Sequence, residues 1–293
     1  MSAGAFALAT VELDGRAVGC VERDGVLSRL ADCGAPADVA GLFEEWPRWS
    51  AHLAAAAPGP ALPAGLPRLA PLRYPGKILC AGANYYDHCA EMGVADLRKE
   101  AQRLFFFMKP PRNAVVGPGA TVRKPIGTQA MDWEVELAVV IGRRARNVAV
   151  DAALAHVAAC TVAIDFSARD LNRAPETFYK LDWVAGKAHD TCCPMGPRLV
   201  PAAFLGNPQD LRLSLAVNGQ TRQDARTSGM IFSIAEQIAT ASRIMTLDPG
   251  DVILTGTPAG VGAPKGTFLA VGDRVDAEIE GIGVLSVTIQ PEG

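Results

Sequence analysis

The segment MDWEVELAVVIG carries the densest set of groups able to do chemistry. On a strand, alternation sets Asp132, Glu134 and Glu136 on one face and Val135 and Leu137 on the other. Three neighbouring carboxylates repel one another unless water or a cation offsets their charge. A solvated acidic face and a metal site both satisfy that condition, and spacing alone leaves the two open. Asp165 closes a second strand-like run, CTVAID, where it could complete a set of oxygen donors. Oxygen-only ligands suit the hard cations Mg²⁺, Mn²⁺ and Ca²⁺ and disfavour Zn²⁺.

In GANYYDHCAEMG, His88 and Glu91 stand at i and i+3, so a helix would carry them on one side. A carboxylate beside an imidazole raises its basicity and orients its ring, as a base that activates water requires. An exposed His-Glu pair on a turn has the same spacing. Further along, Arg169 in DFSARDLN and Lys187 in WVAGKAHDTCCPMGP could grip an anion, Arg by a bidentate fork and Lys as a point charge. Other motifs carry less. The run GTPAGVGAPKGT, Gly256 to Thr267, fits neither GxxxxGK[ST] nor GxGxxG and reads as a tight loop lining a pocket. His189, Cys192 and Cys193 lack the spacing of zinc ligands, and there is no GxSxG elbow to present a serine nucleophile.

The elements that must position these groups follow from turns and periodicity. FALATVEL turns at Asp14-Gly15 and the chain turns again at Asp24-Gly25, which predicts short hairpin strands. A helical stretch over 37–57 and a Pro/Gly/Ala-rich segment over 57–75 follow. This predicts a small N-terminal α/β domain over residues 1–72, joined by a stiff linker to a catalytic domain over 73–293. Beyond Gly76 the pattern predicts strands at 77–81, 135–141, 161–165, 211–218, 251–255, 274–279 and 283–289, with turns at Asn218-Gly219 and Glu280-Gly281. Helices are expected at 87–92, 150–158 and 228–245, the last with Ile231, Ile234, Ile238, Ala241 and Met245 at helical spacing. Strands without regular βαβ alternation argue for an α+β chain, predominantly β, built as a mixed roll or barrel with peripheral helices.

Composition excludes several classes. Among 293 residues, 28 Lys+Arg against 31 Asp+Glu give a net charge of −3, without the positive field that nucleic-acid binding exploits. The N-terminus has no basic n-region, and the apolar stretch over 51–72 is interrupted by prolines, so neither a secretory signal nor a membrane span is expected. Seven cysteines without a CxxC read as buried small side chains in a cytoplasmic protein.

In this order, KILCAGANYYDHCAEMG, FMKPPRNAVVGPG, DWEVELAVVIG, AIDFSARDL, GKAHDTCCPMGP and PGDVILTGTPAGVG resemble the fumarylacetoacetate hydrolase family, from about residue 75 to the C-terminus. The resemblance implies a largely β, roll-like catalytic fold, a homodimer and one divalent cation, Mg²⁺ or Mn²⁺. Carried onto this sequence, it implies metal ligands at Glu134, Glu136 and Asp165, and catalytic roles for His88, Glu91 and Lys187. It implies substrate contacts at Arg169, Asn172, Tyr85 and Thr257, with Asp132 as a support behind the ligands. Departures fall at Ile164, Asn172 and the Cys192-Cys193 pair, where many members carry asparagine, glutamine and an aromatic residue. The expected activity is hydrolysis of a carbon-carbon bond in a 1,3-diketo acid or acylpyruvate, a small keto-acid substrate. The same metal site would also serve an oxaloacetate-type decarboxylase, a hydroxymuconate-type isomerase or tautomerase, or a keto-deoxy sugar-acid dehydratase. A non-catalytic metal-binding module is the reading from a different class.

Overall fold

A computed structural model of the chain describes residues 4–292. Three of its hairpins are set by Asx-Gly pairs in which both residues take positive φ: Asp14-Gly15 (51° and 70°), Asp24-Gly25 (49° and 82°) and Asn218-Gly219 (51° and 76°). That is the type I′ geometry, whose twist matches the strands it joins. The first two turns link strands Ala7–Leu13, Arg16–Arg23 and Val26–Arg29.

These N-terminal strands extend the main sheet. Leu8 pairs with Leu199 of the Cys193–Pro201 strand. The sheet then continues through Val157–Ile164, Val135–Ile141, Val252–Leu254, Ile78–Ala81 and Phe106–Lys109. The segment expected as a linker also joins it, since Arg68–Leu69 pairs with Ala7–Leu13. A second sheet has the order Gln220–Arg226, Arg212–Val217, Arg274–Ile279, Gly283–Pro291, Thr121–Lys124. Pairing is mostly antiparallel, with parallel contacts between Val252–Leu254 and Ile78–Ala81 and between Gly283–Pro291 and Thr121–Lys124. Among the described residues both sheets keep two free ends, so the predominantly β roll expected from sequence is realised by open sheets and no closed barrel forms.

Alternation along Val135–Ile141 divides the interior in two. Val135, Leu137, Val139 and Ile141 pack with Leu213, Val275 and Leu285 of the second sheet and with Ile234 and Ile238 of the Ile234–Ile244 helix. Ala138 and Val140 point the other way, into a core shared with Ile78, Phe107 and Leu254 and with Leu8, Phe43 and Trp46 from the N-terminal segment.

Several boundaries differ from expectation, each for a local reason. The 37–57 helix is two, Ala40–Phe43 and Trp46–Ala55, because Pro47 sits in the first turn of the second. The 150–158 helix stops at Ala153, and after a 3₁₀ turn Val157 opens the strand whose later part was expected at 161–165. The long helix starts at Ile234, where Ser233 and Glu236 form a reciprocal capping box. The Cys193–Pro201 strand carries Pro194, Pro197 and Pro201, residues that remove ladder donors and disguise it in the sequence. Among the described residues no helix is long and apolar enough to cross a membrane.

Candidate active site

Strand register assembles the acidic centre. Antiparallel pairing sets Glu136 opposite Ala163 and Val135 opposite Ile164, so the start of one strand meets the end of the next. The Asp165 amide donates to the Glu134 carbonyl at 2.9 Å. One carboxylate oxygen from each of Glu134, Glu136 and Asp165 lies within 4.8 Å of the others, and all three side chains are buried.

Three cations reach this centre from separate elements. Lys187 ends the short helix Trp183–Lys187, whose N-terminus is capped by the Asp182 side chain. Its Nζ lies 2.7 Å from Glu134 Oε2 and 2.7 Å from Asp165 Oδ2. Arg169 places Nε 2.9 Å from Asp132 Oδ2 and Nη2 2.5 Å from Glu134 Oε1. Lys109, fully buried, sets Nζ 2.6 Å from Asp165 Oδ1 and donates to the carbonyls of Phe166 and Lys187 at 2.9 and 2.6 Å.

Burial raises the Glu134 carboxyl, but Arg169 and Lys187 outweigh it and hold the group well below the usual carboxylate range. Glu136 goes the other way: burial, then the negative Asp165 and Glu134, push it well above that range. Its partner is the Gly256 N–H, which donates to Oε2 at 2.5 Å. The positive charge this centre lacks is therefore the charge beside Glu136. An all-oxygen donor set with that deficit fits a hard divalent cation held by Glu134, Glu136 and Asp165. With Asp132 and the triad ionised, four carboxylates face three cations; a divalent ion would turn the net charge positive by one, which suits an anionic substrate.

The Tyr86–Glu91 helix carries the His-Glu pair. His88 Nδ1 lies 2.8 Å from Glu91 Oε1, and Glu91 Oε2 accepts the Gly260 N–H at 2.9 Å. Burial pushes the Glu91 carboxyl up, but the hydrogen bonds from His88 and Gly260 outweigh it and hold the group below its ordinary value. With Nδ1 engaged, Nε2 is the ring nitrogen left to exchange a proton. His88 opens on a cavity of about 490 Å³ that Glu134, Glu136, Arg169, Lys187 and Thr257 also line.

The glycine-rich loop after the Val252–Leu254 strand ties these groups together. Its amides donate to three acids: Gly256 to Glu136, Gly260 to Glu91, and Gly262 and Ala263 to Asp132 at 2.7 and 3.0 Å. Gly260 takes φ +106°, and a Cβ there would stand 2.0 Å from the Arg222 carbonyl oxygen. Thr257 Oγ1 donates to the Val135 carbonyl at 2.9 Å and accepts from Gln223 Nε2 at 2.8 Å.

Most of the residues singled out in the sequence thus converge, and two stand apart. Tyr85 is fully buried in the core between the sheets and does not line the cavity. Asn172 donates to the Asp182 carbonyl at 3.1 Å, bracing the helix that carries Lys187 without reaching the cavity. Lys109 and Gln223 were not legible as site residues. The signal for Lys109 was a lone lysine closing the apolar run FFFMK; for Gln223 there was none. Burial pushes the Cys192 and Cys193 thiols up to about 12, as packed side chains, and His189 Nε2 faces the Ala185 carbonyl at 2.6 Å.

A buried carboxylate triad and a His-Glu pair that share one cavity through Glu134, Glu136 and His88, with Arg169 and Lys187 beside them, are parts suited to metal-assisted chemistry on an anion. The chain belongs to the fumarylacetoacetate hydrolase family: residues 77–290 match the family's Fumarylacetoacetate (FAA) hydrolase C-terminal region. It is 44% identical over 219 residues to oxaloacetate tautomerase FAHD2A, mitochondrial, of Bos taurus, covering 74% of this chain and 67% of that protein. The fold is similar to that of fumarylacetoacetate hydrolase (EaFAH) from psychrophilic Exiguobacterium antarcticum, with TM-score 0.84 and 33% identity over 98% of this chain and 100% of that one. It is also similar to fumarylpyruvate hydrolase from Pseudomonas aeruginosa in complex with Mn²⁺ and pyruvate, with TM-score 0.67 and 33% identity over 78% of this chain and 93% of that one.

Proposed function

We propose that this chain is a divalent-cation-dependent hydrolase of a carbon-carbon bond in an acylpyruvate or related 1,3-diketo acid. The observation that carries this reading is that His88, braced by Glu91, opens on the same cavity as Glu134 and Glu136. The Mn²⁺ and pyruvate held by the fumarylpyruvate hydrolase relative support the cation and the product class. When bound by Glu134, Glu136 and Asp165, Mg²⁺ or Mn²⁺ supplies Lewis acidity at the oxygens of such an acid.

The chain's own residues perform the remaining steps. Arg169 and Lys187 keep N–H groups beyond those spent on Asp132, Glu134 and Asp165, and these hold the substrate carboxylate. His88 Nε2 takes a proton from water while Glu91 fixes the ring and stabilises the imidazolium. The hydroxide adds to the distal acyl carbon. The carbon-carbon bond then breaks, its electron pair passes to the pyruvate half as an enolate, and the acyl half leaves as a carboxylic acid. The proton held by His88 returns to the enolate carbon and restores the base.

A second reading, keto-enol tautomerisation of an oxaloacetate-type acid, is favoured by the 44% identical relative. There His88 moves a proton between carbon and oxygen and no water is consumed. A spectrophotometric screen of chelator-stripped protein separates the readings, using acylpyruvates and oxaloacetate with and without Mg²⁺ or Mn²⁺ and identifying products. Metal-dependent formation of two acids is the expected result. Enol loss without cleavage would establish the tautomerase in its place, and CO₂ release a decarboxylase.

A further inference from the structure

The cavity has two chemically distinct halves. Its polar part, the floor, holds Glu134, Glu136, Arg169 and Lys187; its apolar part, the wall, is built from Met92, Val94, Leu97, Phe105, Phe107 and Trp183, and the two meet where Lys187 Nζ lies 4.9 Å from the Phe107 ring centre. The Phe107 and Trp183 rings stack at 4.9 Å and 13°, and Phe105 leans on Trp183 at 5.6 Å and 56°. Gly82 makes room for this cluster, since a Cβ there would stand 2.0 Å from the Phe105 ring. Large apolar side chains on this wall stay open to solvent, Met92 by 46%, Val94 by 50% and Phe105 by 41%. The polar side chain on the wall is the neutral Gln102, and both basic side chains lining the cavity sit at the floor, already engaged with carboxylates.

We infer that this wall receives a flat apolar acyl tail, aryl or conjugated hydrocarbon, with no charge at its far end. The inference rests on the proposed reading that the floor holds a keto-acid head, and it names what lies beyond that head. A ring packed among Met92, Phe105 and Trp183 removes apolar area from water on both sides and gains the edge or offset contacts that aromatic pairs prefer. A terminal carboxylate in the same place would lose hydration against carbon, and the cation that borders the wall, Lys187, is already held by Glu134 and Asp165 and faces the head. The wall therefore selects against dicarboxylic substrates by desolvation, while the floor selects for one carboxylate by charge.

Three inhibitors that share an oxalyl head and differ in the tail test this: oxamate, N-phenyloxamate and N-oxalylglycine, titrated calorimetrically into the Mn²⁺-loaded protein. N-phenyloxamate is expected to bind on the order of 10- to 50-fold more tightly than oxamate, and N-oxalylglycine no more tightly than oxamate. Trp183→Ala should erase most of the phenyl advantage. Because Trp183 opens the helix that carries Lys187, an exposed wall position gives an independent check: Val94→Arg should raise affinity for N-oxalylglycine and lower it for N-phenyloxamate. Equal affinities, preference for N-oxalylglycine in the unmodified protein, or failure of all three to bind would overturn the inference. Turnover of benzoylpyruvate and fumarylpyruvate is read separately. A phenyl advantage in binding without cleavage of either would sink the hydrolase reading and leave the tail site standing. Cleavage that favours fumarylpyruvate would do the reverse.

Discussion

Glu136 and His88 face one cavity but answer to different physics, and single substitutions separate them. Glu136 is a buried acid that accepts the Gly256 amide and sits among the three grouped carboxylates, so its chemistry is ligation. Glu136→Ala should abolish Mn²⁺ binding in a calorimetric titration. His88→Ala should leave Mn²⁺ affinity close to wild type and lower kcat by about 10²- to 10⁴-fold, the usual worth of a general base. Loss of Mn²⁺ binding in His88→Ala would instead make His88 part of the metal centre. Glu91 gives a pH signature. Its carboxyl is held below its ordinary value, so its charge stabilises the native state above the unfolded pKa of about 4.3, and that contribution fades as pH falls through the lower folded value. Glu91→Gln should therefore melt below wild type at neutral pH, and the gap should close in acid. A gap unchanged below about pH 4 would mean that the Glu91 charge does not hold the Gly260 turn. These groups were legible because alternation and i,i+3 spacing are local rules. Lys109 was not, since its contact with Asp165 depends on strands far apart in the chain.

At the scale of elements, the Gly256 to Thr267 loop organises the site through its amides, and Thr257 is its residue on the cavity lining. Its amides satisfy Glu136, Glu91 and Asp132, so a shift in the loop disturbs ligand, base and support together. Gly262→Ala tests this, because a Cβ there would lie 1.9 Å from the Thr267 carbonyl oxygen and 2.9 Å from Asp132 Oδ1. The variant should lose about 1–3 kcal/mol in urea unfolding and lose turnover more than Mn²⁺ affinity. Wild-type turnover and stability would show that the loop yields freely. Elements with a strong local signal were readable in the sequence: Asx-Gly pairs gave type I′ turns, and the bounds of the Val135–Ile141 strand match those expected. Elsewhere local signals competed. The helical periodicity running back to Ile231 predicts a start ahead of Ile234, where the structure begins the helix behind the Ser233-Glu236 capping box, and three prolines concealed the Cys193–Pro201 strand, which is held by its neighbours on both sides.

For the molecule as a whole, the decisive contact is the one between Ala7–Leu13 and Cys193–Pro201. A composition shift and a proline-rich segment near residue 72 predict a separable N-terminal domain, yet the main sheet passes across that boundary. Phe6, Leu8, Phe43 and Trp46 share a core with Ile78, Ala138, Val140 and Leu199, so the two parts complete that core together. Sequence order hides such a contact because pairing partners far apart leave no periodic trace. Calorimetry can decide between one cooperative unit and two. Leu8 is fully buried at the seam, and Leu8→Ala should cost about 2–5 kcal/mol. If the two parts unfold together, the variant shows one transition at a lower midpoint, by about 2–4 °C for each kcal/mol at sizes near this one, and Mn²⁺ raises that midpoint as it does in wild type. If residues 1–72 are a separate unit, the substitution splits the transition, and Mn²⁺ shifts only the later step. The seam lies two strands, Cys193–Pro201 and Val157–Ile164, from the strand that carries Glu136, so a single transition would make the N-terminal segment part of the scaffold that holds the metal site.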